Sequence, residues 1–348
     1  MKRPKIKDLA EVSGVSVATV DRVLNGRQSV RAATAMRVYE AAERIGYHAT
    51  PLLQKRIGGD VPKLHFGLLL PNIEPEFYTH FKQEAERAAS QFNGANVRLT
   101  VNFIAAADPD DVSRALAEMG EKVDAIGMIA VDHADVTHEI EVLRDKGIPA
   151  YAILSEVGQG VREAFVGTNN LKVGRTAASM LARALPVRPE GAPKYELALF
   201  VGGHRWHGHE LRETGFRTWL RQNRSDISVL ETMVNLDIAD FTFEATLSVM
   251  ARHPRLAGIY CAGGGREGVI RAVREEKKAG QVDIVANEFA ELTRHAMTEG
   301  LVSMVIDTPA FDIMNECYRL ALQVASEGLG SSMGQHFIRM QLVTSESY

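Results

Sequence analysis

From residue 64 onward the sequence alternates short apolar runs with longer amphipathic segments, and this alternation constrains the fold most. Runs such as 64–70, 97–103 and 125–130 have the length of buried strands, and helical periodicity fills the segments between them. Strands that alternate with helices form parallel sheets with helices packed on both faces. The sequence therefore predicts an α/β fold for most of the chain.

The alternating pattern occurs twice, which predicts two lobes. The first set of strands ends near residue 167, and a second set begins after Asn169. A chain of 348 residues has room for two or three structural units of ordinary size. Because ligands of parallel sheets bind beyond the carboxyl ends of the strands, we expect a small-molecule site between the two lobes.

The first 60 residues differ from the rest in charge and in pattern. They contain eleven Lys and Arg against six Asp and Glu, a net charge of +5, whereas the other 288 residues contain 29 against 38, a net charge of −9. Helical periodicity predicts three short helices before about residue 45, with a tight turn at Gly14 and a helix N-cap at Ser16. A small basic helical head favours nucleic acid as its partner.

This head resembles the helix-turn-helix signature of the lactose-repressor (LacI/GalR) family. The likeness is in residues 6–10 (IKDLA), 14–16 (GVS), 19–20 (TV) and 22–25 (RVLN). It implies that residues 1–47 are a DNA-binding domain whose second helix enters the major groove of double-stranded operator DNA. The family pattern assigns base contacts to Val17, Ala18 and Arg22, and phosphate contacts to Thr19, Asn25 and Tyr47.

Within this pattern Arg22 is the residue able to bind guanine through two hydrogen bonds, while Val17 and Ala18 offer apolar contacts. Asp21 stands where the family usually has serine. Three roles are open for Asp21: its carboxylate orients Arg22, it accepts a hydrogen bond from a cytosine amino group, or it faces solvent on the helix surface.

The resemblance also implies a hinge over residues 48–62. In the family this stretch becomes a short helix on operator DNA, and a leucine from each subunit enters the minor groove. Here residues 50–57 read TPLLQKRI and lack the familiar Ala-Arg-x-Leu spacing, so Leu53 or Ile57 is the candidate wedge. Residues 58–62 are then a flexible linker.

Residues 63–348 resemble the family's effector-binding domain and the related ribose-binding type of periplasmic receptor. The likeness implies an N-lobe of 63–168 and 308–333, a C-lobe of 169–307 and 334–348, and a sugar or polyol effector. No leucine heptads follow the last strand, so we expect a homodimer. The predicted effector contacts are two aromatic residues that sandwich a sugar ring and a set of polar residues at strand ends: Phe77, Tyr78, Asp132, Ser155, Arg212, Glu288 and Asp307.

Two other binding chemistries fit parts of the sequence. Residues 263–268 (GGGREG) match the pattern G-x-G-x-x-G after a strand, and Glu288 lies twenty residues beyond Gly268, which leaves a dinucleotide-binding, redox-sensing regulator as the alternative. His204, His207 and His209 admit a metal site, but no cysteine accompanies them. The other interpretation places this segment, with Trp206, at the mouth of the cleft, and we predict neither a metal nor a cofactor.

Composition and motifs exclude several classes of protein. An apolar fraction of 45% and a formal charge of −4 are typical of folded soluble chains. No apolar run approaches the roughly 18 residues that a bilayer span needs, and the first residues are charged. Two cysteines cannot form a disulfide framework. Without a nucleophile elbow, a P-loop or a catalytic triad, we do not expect an enzyme. The resemblance implies a transcription regulator, a repressor, and the charged first residues predict that it stays in the cytoplasm.

Overall fold

The structure, a computed structural model, describes residues 4–25, 30, 32–47, 61–72, 75–104, 108–203 and 205–348. The described residues up to Lys63, together with Phe92–Asn96, form one compact unit, and the other described residues form a second. Each unit is described by itself. The predicted hinge residues Leu53 and Ile57 lie outside the described part of the chain.

The first unit contains the three predicted helices: α1 (Ile6–Ser13), α2 (Val17–Asn25) and α3 (Ala32–Ile45). Gly14 ends α1 with φ +65°, a conformation that favours glycine. Ser16 caps α2, because its Oγ accepts a hydrogen bond from the Thr19 backbone N–H at 3.1 Å. Leu9, Val20 and Val38 are fully buried between the helices. The turn at Gly14 and the cap at Ser16 thus form as predicted.

The N-lobe of the second unit is a six-stranded sheet in the order β12-β5-β4-β3-β1-β2, in which β5 is parallel to β4 and β12. Helices separate its strands along the chain. The elements are β1 (Lys63–Pro71), α4 (Pro75–Gln91), β2 (Asn96–Ile104), α5 (Pro109–Gly120), β3 (Ala125–Met128), α6 (Ala134–Asp145), β4 (Ala150–Ile153), β5 (Ala164–Thr168), α12 (Ala310–Glu327) and β12 (Gly334–Ile338).

The C-lobe sheet has the order β13-β11-β10-β9-β6-β7, with β8 paired to β6. Its last strand is antiparallel to β11. The elements are α7 (Asn170–Ala184), β6 (Tyr195–Val201), α8 (His207–Asn223), β7 (Ile227–Val229), β8 (Met233–Val234), α9 (Ala239–Arg252), β9 (Leu256–Cys261), α10 (Arg266–Glu275), β10 (Asp283–Asn287), α11 (Glu291–Thr298), β11 (Val302–Asp307) and β13 (Gln341–Val343).

The chain crosses between the lobes after β5, after β11, and between β12 and β13. The last crossing therefore follows Ile338, later than the expected lobe boundary at residue 334. The reason is pairing: Gly334 to Ile338 lie in parallel register with Ala164 to Thr168 and extend the N-lobe sheet. The two short strands β7 and β8 both pair with β6.

Each lobe has its own apolar core, which holds the strand ends in place. In the N-lobe the ring of Phe66 contacts Tyr151 and Tyr318, with centroids 6.2 and 5.2 Å away. In the C-lobe Phe216 stacks on Tyr260 at 5.2 Å. Each such buried side chain stabilises the fold by roughly 1.5–3 kcal/mol. The helices over these cores are amphipathic, and within the described residues none is long and apolar enough for a bilayer crossing.

Candidate functional site

A cleft lies between the two lobes, at the carboxyl ends of both sheets. Its cavity volume is about 70 Å³, and since a single buried water needs roughly 10–15 Å³, the space suits one small polar molecule. We call it the inner chamber. Its lining residues come from both lobes: Phe77, Tyr78, Ile129, Leu154, Ser155, Trp206, Gly208, His209, Arg212, Asp237, Gly263, Gly264 and Glu288.

The aromatic residues of the inner chamber correct one prediction. Phe77 and Tyr78 are adjacent on α4, and their rings touch edge to face, with centroids 4.8 Å apart and planes at 73°. No sugar ring fits between them, because two aromatic faces that sandwich a ring must be parallel and well separated. Trp206, at the start of α8, is the aromatic residue that lines the chamber from the C-lobe. The two aromatic residues that a bound sugar ring could contact, Phe77 and Trp206, therefore belong to different lobes.

Arg212 is fixed at the chamber wall by hydrogen bonds. Its side chain is 7% exposed. Nε donates to Asn170 Oδ1 at 2.8 Å, and Nη1 donates to the Ala262 carbonyl at 2.6 Å. The guanidinium thus connects α7 and β9 and presents a cation to the chamber without rotamer freedom. Arg212, predicted as an effector contact, is in place for that role and also supports the fold.

Two glycines allow α8 to bring Arg212 to this position. A Cβ on Gly174 of α7 would overlap the Arg212 carbonyl group, and a Cβ on Gly215 of α8 would overlap the carbonyl oxygen of Leu171. The two helices therefore approach each other more closely than helices with side chains at these positions can. Arg212 lies at the chamber wall because Gly174 and Gly215 allow this close approach of α7 and α8.

His209 is a neutral hydrogen-bond donor in the inner chamber. Its Nδ1 accepts from the Gly202 backbone N–H at 3.2 Å, which places the ring proton on Nε2. Burial, followed by the charge of Arg212, lowers the pKa of His209 to about 3. Of the other two histidines, His207 is exposed beside Glu210 and His204 lies outside the described residues. No group of three metal-ligating side chains occurs in the described part of the chain.

Asp237 and Glu288 are the acceptors of the chamber, and both have a positive φ, +59° and +69°. Asp237 accepts from the Gly264 backbone N–H at 2.7 Å, and Glu288 accepts from the Thr308 hydroxyl at 2.8 Å. Burial raises the pKa of Asp237. Burial, and then the charge of Asp307, raises the pKa of Glu288 to about 7. Left-handed backbone at non-glycine residues costs about 1–3 kcal/mol and is concentrated at functional sites.

The other predicted effector contacts divide between three places. Ser155 lines the inner chamber and accepts from the Gly208 backbone N–H at 3.4 Å. Asp307 lies in an adjoining space, the outer chamber, where its carboxylate accepts from the Phe289 N–H at 2.8 Å. The prediction that Asp132 contacts the effector is corrected. Asp132 is an exposed residue after β3 whose carboxylate accepts a hydrogen bond from the Gly158 N–H, and it lines neither chamber. The outer chamber is lined by Glu76, Phe77, Thr79, His80, Phe81, Gln83, Arg266, Glu288, Phe289, Ala290, Glu291, Arg294, Asp307, Thr308 and Ala310.

Asp237 is the chamber residue that the sequence analysis missed. It follows the two-residue strand β8, and none of the predicted effector contacts lies after that strand. The signal was present, since Asn235 and Asp237 come directly after that strand. The rule that selected Ser155, a polar residue at the carboxyl end of a strand, applies equally to Asp237.

The glycine-rich turn before α10 is filled by side chains of the C-lobe itself. A Cβ on Gly265, whose φ is +81°, would overlap the Thr242 hydroxyl and approach the Asn235 amide. The Gly264 N–H is bound to the Asp237 carboxylate, which would repel a pyrophosphate at the same position. These glycines serve the packing of the turn against α9. Neither this geometry nor the comparisons below support the dinucleotide alternative.

In the first unit, the predicted base-contacting side chains lie on the exposed face of α2. Val17 is 41% exposed, and Ala18 and Arg22 are exposed as well. The Thr19 hydroxyl lies 2.8 Å from the Ser16 hydroxyl. Exposed apolar and cationic groups on one helix face suit contacts in a DNA groove.

Three further residues of this unit have structural partners. The Asn25 side-chain amide donates to Asp21 Oδ1 at 2.7 Å. Asp21 thus pairs along the helix, which agrees with its interpretation as a helix-surface residue. Tyr47 is 7% exposed and packs in the core of this unit, so its predicted phosphate contact stays a prediction.

Comparison with known proteins matches both units. Residues 5–50 match the model of bacterial regulatory proteins of the lacI family, and residues 66–329 match a periplasmic binding protein domain. An uncharacterized HTH-type transcriptional regulator of Streptomyces limosus is 29% identical over 182 residues, 51% of this chain and 49% of that protein. The regulator GalR of Escherichia coli K12 is 36% identical over 83 residues, 21% of this chain and 24% of GalR.

The chain thus spans about half the length, or less, of the curated relatives it matches. Among solved structures, a solute-binding protein of Burkholderia graminis in complex with D-arabinose is similar with a TM-score of 0.73 at 18% identity, covering 83% of this chain and 99% of that one. A second, from Actinobacillus succinogenes with bound D-allose, has a TM-score of 0.72 at 19% identity and covers 82% and 98%. These likenesses show the fold of the second unit. The chain thus belongs, over residues 66–329, to the periplasmic binding protein domain family, and its residues 5–50 are a region of the lacI family of bacterial regulatory proteins.

Proposed function

We propose that this chain is a DNA-binding transcription repressor that responds to a sugar or polyol bound in the inner chamber. The observation that carries the effector part is the set of fixed groups in that chamber. Arg212 and His209 donate, Asp237 and Glu288 accept, and Phe77 and Trp206 offer apolar faces. Each hydroxyl of a polyol both donates and accepts, so a neutral polyol satisfies these groups better than an anion or a hydrocarbon does.

The DNA part of the proposal rests on α2 and on the family match of residues 5–50. We propose that α2 enters the major groove, with Arg22 on guanine and Val17 and Ala18 against neighbouring bases. A homodimer in the cytoplasm would place two such helices on the half-sites of a palindromic operator. Relatives named as HTH-type transcriptional regulators support the assignment to regulation rather than to catalysis.

Effector control then requires that the ligand bind one arrangement of the lobes more tightly than another. The inner chamber fits this requirement, since its lining comes from both lobes and a ligand contacts the two at once. A ligand that binds the closed lobes more tightly changes the population of the DNA-binding form. The size of this change is set by the ratio of the ligand's affinities for the two arrangements.

The test of this function uses the full chain and two assays. Selection from random DNA duplexes should enrich an inverted repeat, and a thermal-shift screen over sugars, polyols and nucleotides should find stabilisation by a sugar or polyol. The sugar that stabilises the protein should then change its affinity for the selected duplex. Stabilisation by a dinucleotide instead, or selection of no sequence, would contradict the proposal.

A further inference from the structure

A larger cavity, the outer chamber, adjoins the inner chamber, and its size bears on the size of the effector. The two chambers share Phe77 of the N-lobe and Glu288 of the C-lobe as common walls. The volume of the outer chamber is about 680 Å³, against about 70 Å³ for the inner one. The two cavities are thus neighbours at Phe77 and Glu288, and the outer one has the size of common ligand pockets, ~300–1,000 Å³.

We propose that the effector has two sugar units joined by a glycosidic bond, one in each chamber; this inference rests on the proposed sugar-effector function. The inner chamber holds the unit bound by Arg212 and Asp237. The outer chamber takes the second unit, and the bond between the units passes between Phe77 and Glu288.

The first support is the surface that the outer chamber offers to a second ring. Phe289 lines it from the C-lobe, directly after Glu288 in sequence. The ring of Phe289 contacts the ring of Tyr348, with centroids 5.2 Å apart and planes at 51°. An aromatic ring in the lining of a cavity offers apolar surface, and the C–H face of a sugar ring packs on such surfaces.

The second support is the polar rim of the outer chamber. The Arg294 guanidinium donates to both carboxylate oxygens of Glu291, at 2.5 and 2.9 Å. His80 and Gln83 reach the same space from the exposed face of α4. This rim offers both donors and acceptors, as sugar hydroxyls require.

The charge of the outer chamber favours a neutral second unit over a phosphate or a uronate. Its lining contains the carboxylates of Glu76, Glu288, Glu291 and Asp307 against the guanidinium groups of Arg266 and Arg294. Arg294 is already paired with Glu291. An anionic group placed there would meet an excess of negative charge within one chamber, which disfavours it.

The experiment measures calorimetric Kd values of the full chain for matched probes: glucose with maltose, cellobiose and trehalose, and galactose with lactose and melibiose. The proposal predicts that at least one disaccharide binds about tenfold or more tightly than both of its constituent monosaccharides. Phe289→Ala should remove most of that gain while leaving the Kd of the monosaccharide within about twofold. His80→Ala, at an exposed position, should reduce the same gain and guards against misfolding of the first variant.

Phe241→Ala is the matched control, because Phe241 is 53% exposed and lines neither chamber. Monosaccharides that bind as tightly as every disaccharide would overturn the two-unit effector but leave the sugar sensor standing. Failure of all probes to bind would overturn both. A disaccharide preference unchanged in both Phe289→Ala and His80→Ala would also overturn the proposal, since the gain would then arise outside the outer chamber.

Discussion

The surroundings of His209 in the wall of the inner chamber favour its neutral form. Its pKa is lowered from the ordinary 6.5 to about 3 by burial. The unfolded chain therefore binds a proton below pH 6.5 that the folded chain does not. It follows that stability present above pH 6.5 is lost as the pH falls toward 3.

We predict that His209→Asn reduces this acid sensitivity. Asparagine keeps an acceptor for the Gly202 N–H but does not titrate. Relative to this variant, the wild type should lose about 2 kcal/mol of unfolding free energy between pH 7.5 and pH 5. Denaturant unfolding at the two pH values measures the difference. His138→Asn is the control, since that side chain is 77% exposed; equal pH slopes for wild type and His209→Asn would refute the assignment.

Glu288 should have the opposite pH dependence. Its pKa is raised from 4.5 to about 7, so the folded chain binds a proton that the unfolded chain releases, and stability present below pH 4.5 is lost as the pH rises to 7. Glu288→Gln should therefore be more stable than the wild type at pH 8, by about 1–3 kcal/mol, with the advantage absent at pH 4. Denaturant unfolding across this range measures it, with the exposed Glu276→Gln as control. An advantage that is constant with pH would show that packing, not ionisation, is its cause.

At the scale of single elements, the close approach of α7 and α8 decides where Arg212 lies. We predict that Gly215→Ala destabilises the fold by about 1–3 kcal/mol, because its methyl group overlaps the Leu171 carbonyl oxygen and separates the helices. The same change should weaken effector binding, since Arg212 moves with α8. Thr218→Ala, on a half-exposed position of the same helix, should do neither. An unchanged unfolding free energy and Kd in Gly215→Ala would contradict the close packing.

A further prediction concerns Arg22 on the exposed face of α2. Arg22→Ala should cost about 1–3 kcal/mol of affinity for the selected duplex and relax the preference at one symmetric base pair. Affinity for a random duplex of the same length should fall much less, because α2 retains its other contacts. Fluorescence anisotropy with both duplexes measures this. Equal losses on the two would assign Arg22 to the phosphates instead of to a base.

Features that depend on residues close in sequence could be predicted, whereas features that depend on the packing or pairing of distant elements could not. Helix and strand alternation and the turn at Gly14 depend on residues close in sequence, so they could be predicted from the sequence. The edge-to-face contact of Phe77 and Tyr78, which rules out the expected sandwich, depends on helix packing instead. Asp237 follows the carboxyl end of β8 as Ser155 follows that of β4, so the same rule could have selected it, and it was missed. Parallel pairing with β5 assigns β12 to the N-lobe sheet, and no local signal at residue 334 indicates that.

For the whole molecule, the central claim is that a ligand between the lobes and DNA on α2 affect each other through one chain. Coupling of this kind is reciprocal, since the factor by which effector changes DNA affinity must equal the factor by which DNA changes effector affinity. A merely structural ligand would stabilise the second unit and leave DNA binding unaltered. The two cases differ in the coupling free energy between effector binding and DNA binding.

The most direct measurement is therefore the pair of binding constants, taken by fluorescence anisotropy for the selected duplex and by calorimetry for the stabilising sugar, each with and without the other ligand at saturation. We predict that both constants change by the same factor, about tenfold or more, corresponding to a coupling free energy of at least ~1.4 kcal/mol. His209→Asn and Glu288→Gln, which alter the inner chamber, should change the sugar constant and leave the DNA constant without sugar unchanged. Two constants that are each independent of the other ligand would contradict the account.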